Sequence, residues 1–389
     1  MHYSRATPQL LVVGLLGATS PIASSSDPVE LVLPPAIHAT PGVATGFFFD
    51  NLVADPTPGR FRFAVDCPIG QAEAKRWVVT PVPGNTGTHP LKLTVRDEEG
   101  SVVAEGSTTL VVAASDAGKG RQVRILFVGD SLTGVGGGYP SEVARLLSAP
   151  ENPSWRMLGS RQCPGVAGVR TEGYPGWKWG DFLTRYEAQP DPAKKKFTSP
   201  FVFKDGDAAP AVDVARYFRD LGDGGPPDVV VFLLGVNNLT PAYKASKGGL
   251  DREAMDRSID ATFQDAEALL AAVRRGAPRA ALAVSLVPSS NQRDSAFENN
   301  YKGELRRDGC RRVQHRMARR MIEQFSVREK ENVFLVPTGL WLDPEAGFPE
   351  NNAVHPNLVG HAQLAATYYA WLKAWLTSAG NPASTVSTP

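Results

Sequence analysis

A chain of 389 residues with 41 Lys+Arg against 40 Asp+Glu has a formal charge of +1, which offers neither a nucleic-acid backbone nor an anionic membrane a global attraction. A 42% hydrophobic share with 21% charged residues is enough to build a core and excludes an intrinsically disordered chain, and the length suggests two domains. The 37 Gly and 32 Pro signal many turns without the period of collagen, and no internal repeat marks a solenoid.

At the start, Arg5 precedes the apolar run Leu10 to Ala18, and small residues follow through Ala23, Ser24 and Ser25. That is the order of a secretory signal peptide. Residues 1–25 are therefore expected to be a leader whose apolar run is too short to span a bilayer, and the mature protein to be secreted or periplasmic with no membrane insertion. Cys67, Cys163 and Cys310 allow at most one bridge; without a Cys-x-x-Cys they read as buried free thiols.

From 27 to 114 short β-rich runs alternate with turn residues. Phe61 to Val65, Arg76 to Thr80, Leu91 to Val95 and Thr108 to Val112 each read as a strand, with Asp97-Glu98-Glu99-Gly100 as a hairpin turn. Strands at near-regular spacing with no helical period between them predict a small all-β sandwich, and GTHPLKLTVRDEEGSVVAEGSTTLVV resembles bacterial immunoglobulin-like modules. Ser115 to Gly120 reads as a linker.

The pattern then changes. Val123 to Val128, Asp228 to Leu234, Ala281 to Val287 and Val333 to Val336 are continuous apolar strands, and Pro140 to Leu147, Asp251 to Arg274, Leu305 to Gln324 and Leu358 to Leu376 are helical. Such alternation predicts an α/β domain over 121–378, a parallel sheet covered on both faces with chemistry at the carboxyl ends of its strands. Residues 379–389 read as a flexible tail.

Four short blocks fall at such ends. Gly129-Asp130-Ser131-Leu132 sets a hydroxyl where the first strand gives way to a helix. Glu172-Gly173-Tyr174-Pro175-Gly176-Trp177 forms a turn around Gly176, Leu234-Gly235-Val236-Asn237-Asn238 delivers a side-chain amide, and Asn352-Ala353-Val354-His355-Pro356-Asn357 places an imidazole before the last helix. Ser131, Gly176, Asn237 and His355, in that order, resemble the blocks of the SGNH, or GDSL, hydrolase superfamily across about Arg121 to Leu376. The resemblance implies a flavodoxin-like three-layer α/β/α domain, Ser131 as nucleophile, His355 as base, and an oxyanion hole of the Ser131 and Gly176 amides with the Asn237 side chain. The physical logic agrees, because a serine hydroxyl attacks only when a base takes its proton, and His titrates near neutrality. Of the six His, His2 belongs to the leader, His38 and His89 to the β domain, and His315 to an Arg-rich helix, leaving His355 or, inside the last helix, His361.

The family's last block carries Asp three residues before His, and here that residue is Asn352. Either its carbonyl orients His355, or Asp343 or Glu350 reaches in, or a backbone carbonyl serves. Tyr174, Trp177 and Trp179, around Gly176, suit either the apolar faces of sugar rings, with Tyr174 and Trp177 then lining the substrate site, or a packed core. The glycines from Gly134 to Gly138 lack a following Gly-Lys-Ser/Thr and read as a loop beside the serine. No metal-ligand spacing appears and no cofactor is expected, while the absent GxSxG argues against an α/β-hydrolase lipase. The expected function is a secreted serine esterase acting on short-chain acyl, chiefly O-acetyl, esters of a carbohydrate. The alternatives are a lipase, phospholipase or thioesterase of the same superfamily, or a carbohydrate-binding protein whose hydrolase domain is inactive.

Overall fold

The computed structural model describes residues 29–53, 58–134, 138–163, 166–222, 224–245 and 251–379. The expected leader at 1–25, the tail from 380 on and residues 135–137 of the glycine-rich loop lie outside them.

Strands β1 (Ala36–Ala39), β2 (Thr45–Phe48), β3 (Arg62–Asp66), β4 (Gln71–Ala72), β5 (Arg76–Val79), β6 (Gly87–Arg96) and β7 (Val102–Val112) make two sheets, ordered β1-β7-β6-β3 and β2-β5-β4. The alternation within β6 explains why they come together: Leu91, Leu93 and Val95 are buried while Lys92 faces water, so one face must be covered. Those three share an apolar cluster with Phe47 and Trp77 of the second sheet. The predicted turn closes the β6–β7 hairpin, with Gly100 N donating to Asp97 O at 3.2 Å. Strand β1 was not foreseeable as an apolar run, since AIHA has none; its parallel pairing with β7 makes it a strand.

The rest of the chain runs β8 (Gln122–Gly129), α1 (Ser131–Gly134), α2 (Gly138–Leu147), β9 (Ser154–Leu158), β10 (Arg161–Gln162), β11 (Arg170–Gly173), α3 (Asp181–Thr184), a small hairpin of β12 (Val202–Phe203) and β13 (Ala211–Val212), α4 (Val214–Asp220), β14 (Val229–Leu233), α5 (Thr240–Ala245), α6 (Arg252–Gly276), β15 (Ala281–Ser285), α7 (Asp294–Tyr301), α8 (Arg307–Phe325), β16 (Val333–Val336) and α9 (Leu358–Ala379). Strands β9 and β11 both pair with β8 on one side, and β14, β15 and β16 follow in turn on the other, all parallel. Val123, Ile125 and Phe127 of β8 pack with residues of α2 and α9, whereas Leu126 and Val128 pack with α6 and α8. Two buried faces under two helical layers are what the continuous apolar strands predicted. The direction of strand addition reverses at β8, so the crevice between the carboxyl ends of β8 and β14 is where such sheets place a site.

Residues 115–120, expected as a linker, form a series of turns held against α9. Lys373 is wholly buried there and donates to Ala117 O at 2.6 Å and to Asn152 Oδ1 at 3.1 Å. Burial pushes its ammonium down from 10.5 to about 8. Between those two values the unfolded chain keeps a proton that the folded chain has lost, so this group makes stability rise with pH in that window. Below pH 8 both states carry the charge and the folded state bears the whole desolvation cost. We expect the stability advantage of Lys373→Met over the wild type, measured by urea unfolding, to shrink as pH rises from 8 to 10.5. An advantage independent of pH would show that Lys373 titrates normally.

Candidate active site

Strand β8 ends at Gly129, and the next residues turn at once into α1. Asp130 caps that turn: its Oδ1 accepts from Leu132 N at 2.9 Å, and its carbonyl from Thr133 N and Gly134 N at 3.2 and 3.1 Å. The Ser131 amide is not among the groups it takes up. Strand β11 lies so close to this turn that a Cβ on Gly134 would sit 2.4 Å from Gly173 O, and one on Gly173 2.5 Å from Gly134 N. Only glycine at both positions permits that approach.

After Gly173 the chain makes a tight turn from Tyr174 to Trp177, closed by Trp177 N to Tyr174 O at 3.1 Å and tied to β8 by Tyr174 N to Gly129 O at 2.9 Å. Pro175 and Gly176, with Gly176 at φ 82°, suit the second and third positions of a type II turn. The Gly176 N–H stays out of the closing hydrogen bond. Beneath the turn Glu172, fully buried, accepts from Ser160 Oγ, Tyr174 OH and Tyr217 OH at 2.9, 2.7 and 2.7 Å. Burial raises its carboxyl above the usual range, and these donors pull it back.

Asn237 emerges just beyond β14, the neighbour of β8. Its Nδ2 donates to Trp177 O at 3.1 Å and to Asp130 Oδ2 at 3.1 Å. A carbonyl can only accept, which fixes that atom as the amide nitrogen. Both amide hydrogens thus have acceptors already, so donation to an oxyanion requires Asn237 to share or release one. The Asp130 carboxyl, buried beside it, is pushed up to about 7 by desolvation.

The imidazole arrives from the far end of the chain. His355 Nε2 lies 2.9 Å from Ser131 Oγ, 224 residues earlier, and His355 Nδ1 lies 3.3 Å from Asn352 Oδ1. Asn352 Oδ1 also accepts from Val354 N and His355 N at 3.0 and 2.9 Å. Those amides are donors only, so this atom is the oxygen and His355 Nδ1 carries the proton. Nε2 is then left bare to accept from the Ser131 hydroxyl, the tautomer a general base needs. Half-burial lowers the His355 pKa from its ordinary value, which favours the neutral ring.

Asp343, the alternative orienting acid, is engaged elsewhere: its Oδ1 accepts from Glu345 N and Ala346 N at 2.9 Å each. Glu350 is exposed. His361, in α9, is pushed down to about 4, mainly by burial. Tyr174 and Trp177, read from the sequence as substrate-lining, are instead core residues at 4% and 1% exposure, stacked on each other at 4.1 Å. A turn as tight as theirs drives large rings inward, where Phe182 packs edge-on against both.

Ser131, Asn237 and His355 line a cleft of about 420 Å³ much of whose remaining wall comes from α5, α7 and α8, including Tyr243, Phe297, Asn300, Tyr301 and Gln314. Sequence reading missed these residues. Helix α7 lacks a clear apolar stripe, with only Ala296 and Phe297 buried, so nothing marked it as a wall of the site. Asp130 stood in the motif beside the serine, but its grip on Asn237 depends on the pairing of β8 with β14. The three cysteines are free thiols, and Cys310, in the cleft wall, is raised to about 12 by burial.

No family model and no curated protein matches the chain. Among solved structures it is similar to a family 3 carbohydrate esterase of Clostridium thermocellum, at 18% identity over 67% of this chain and 99% of that one with a TM-score of 0.42. A carbohydrate acetylesterase family member from Sinorhizobium meliloti is matched at 15% over 66% and 99%, TM-score 0.38. Phospholipase A1 from Streptomyces albidoflavus is matched at 12% over 65% and 98%, TM-score 0.35. Likeness at this level of identity and overlap carries no shared activity by itself, and the chemistry rests on the contact between Ser131 and His355.

Proposed function

We propose that the protein is an extracytoplasmic serine esterase of the SGNH type that removes short acyl groups, chiefly acetyl, from a carbohydrate. The observation that carries the reaction class is the 2.9 Å contact of Ser131 Oγ with His355 Nε2 in the wall of an open cleft. Ser131 Oγ attacks the ester carbonyl while Nε2 takes its proton, and the resulting imidazolium gives that proton to the departing alcohol oxygen. Water, deprotonated by the same nitrogen, then attacks the acyl carbon, and the imidazolium returns that proton to the departing Ser131 Oγ as the acid is released. The Ser131 and Gly176 amides and the Asn237 side chain are the proposed donors to the oxyanion.

The cleft's make-up supports the carbohydrate. Hydrogen-bonding side chains such as Thr240, Ser290, Asn300 and Gln314 outnumber its aliphatic ones, and the rings of Phe297 and Tyr301 offer flat apolar surface. A hydroxyl-rich alcohol uses both. The leader-like order of residues 1–25 supports export, and the two-sheet build of the N-terminal unit supports reading it as a small sandwich.

One feature favours the lipase reading: Leu358 and Val359, at the first turn of α9 just after the histidine block, are 84% and 51% exposed. A series of p-nitrophenyl esters separates the two. The proposal expects the acetate to be hydrolysed at least tenfold faster in kcat/KM than the octanoate, with acetate released from acetylated glycans. Preference for the octanoate would turn the assignment to lipid esters.

A further inference from the structure

Strand β16 is the far strand of the sheet, with β15 and β14 between it and β8. The histidine must therefore travel back across the strand ends to reach Ser131, and it does so on residues 337–357, which form no helix or strand. So long a stretch has its backbone groups met by something outside it, or it wanders.

The N-terminal unit meets two of them, the carbonyls of Leu340 and Leu342. Asn51, 6% exposed, donates from Nδ2 to Leu340 O at 3.2 Å and Leu342 O at 2.7 Å, across 289 and 291 residues of sequence. Phe48 N donates to Leu340 O at 2.9 Å, and the Phe48 ring packs on Trp341 with centroids 5.4 Å apart. A second route passes through Asp50, whose Oδ2 accepts from Gln292 Nε2 at 2.7 Å. The residue before that glutamine, Asn291, is wholly buried and donates from Nδ2 to Asn352 O and Pro349 O at 2.9 Å each, while its own N–H reaches Ala353 O at 2.9 Å. Asp50 and Asn51 thus grip the histidine segment near its start and, through residues 291–292, at the residue that orients His355.

We propose that the N-terminal β unit is a fixed brace for the segment carrying the catalytic base, and that Asn51 is its positioning residue, so that turnover and not only stability depends on this contact. The inference rests on Ser131 and His355 being the reacting pair. It makes the unit a part of the enzyme's mechanism instead of a separate binding module. Displacing a catalytic group by about 1 Å from a distance costs on the order of 10²-fold in rate, and a base held only by a long irregular segment is exposed to such drift.

The test uses the full chain with Asn51→Ala, and Asn51→Ser, which keeps one donor, as the milder variant. At a temperature well below the melting of each, kcat on p-nitrophenyl acetate is expected to fall about 10- to 100-fold in Asn51→Ala and less in Asn51→Ser, with KM unchanged. Hydrogen exchange read by mass spectrometry should speed up in peptides covering 340–357 while those of β8 and β14 keep their protection. Unchanged kcat and unchanged exchange at 340–357 in folded Asn51→Ala protein would overturn the brace. A wild type inert toward every ester would overturn the esterase reading instead, and the exchange measurement would still decide whether the brace exists.

Discussion

Ser131→Ala is expected to lower kcat on p-nitrophenyl acetate by on the order of 10⁶-fold while KM stays within about twofold. In the proposed mechanism the hydroxyl is the reacting group, and its loss leaves His355 Nε2, 2.9 Å away, with a proton acceptor's role and no nucleophile to activate. The residual rate comes from donors near the oxyanion and from binding in the cleft, both of which survive the substitution. Stability should hardly change, because Ser131 is only half-buried and the turn around it is held by Asp130. An alkyl phosphonate provides an independent reading: intact mass should show one adduct on the wild type and none on the variant. Hydrolysis by Ser131→Ala at the wild-type rate would remove the serine mechanism.

The second large effect concerns the residue where this chain departs from the SGNH pattern that its sequence resembles. Asn352 Oδ1 receives three donors, Val354 N, His355 N and His355 Nδ1. Each needs only an acceptor there, so Asn352→Asp keeps the geometry and adds a charge. Asn352→Ala removes the acceptor and frees the imidazole to turn or to take the other tautomer, for which about 10²- to 10⁴-fold in kcat is the expected loss. The sign of the pH effect follows from the base having to be neutral: activity appears as pH rises through the His355 pKa. Burial depresses that pKa, so the wild-type acid limb of kcat/KM should lie below 6.5. A carboxylate at 352 favours the imidazolium and should move that limb upward by about 1–3 pH units. An acid limb that stays in place in Asn352→Asp, together with full activity in Asn352→Ala, would mean that some other group orients the ring.

Those two residues also show what could be read before folding. Strands β8, β14, β15 and β16 were legible because burial on both faces leaves apolar runs, and Val333 to Val336 coincides with β16; β9, SWRML, has no such run. Ser131, Asn237 and His355 were legible because each follows such a run or precedes a helix at the sheet's carboxyl end. Elements defined by partners were not. Strands β10 to β13 are two to four residues long, with too few positions to display a period. Tyr174 and Trp177 were misplaced because nearness in sequence to Gly176 says nothing of which way a ring turns, and the decision belongs to Phe182 and Glu172. The cleft wall from α7 and α8 is a product of tertiary packing alone, as is the grip of Asn51 on carbonyls nearly three hundred residues away.

That last separation has a bearing on how the molecule is made. The ribosome delivers Asn51 289 residues before Leu340 and 291 before Leu342, so Asn51 and the Phe48 ring have no counterpart over that stretch of synthesis. Contacts at such range pay loop-closure entropy before they return anything, which slows the final consolidation. A nascent chain halted before Leu340 would present an apolar aromatic face on an otherwise assembled pair of sheets, the kind of surface on which chaperones and aggregation compete. The same timetable withholds the imidazole until His355 itself has emerged, so Ser131 lacks its partner until then.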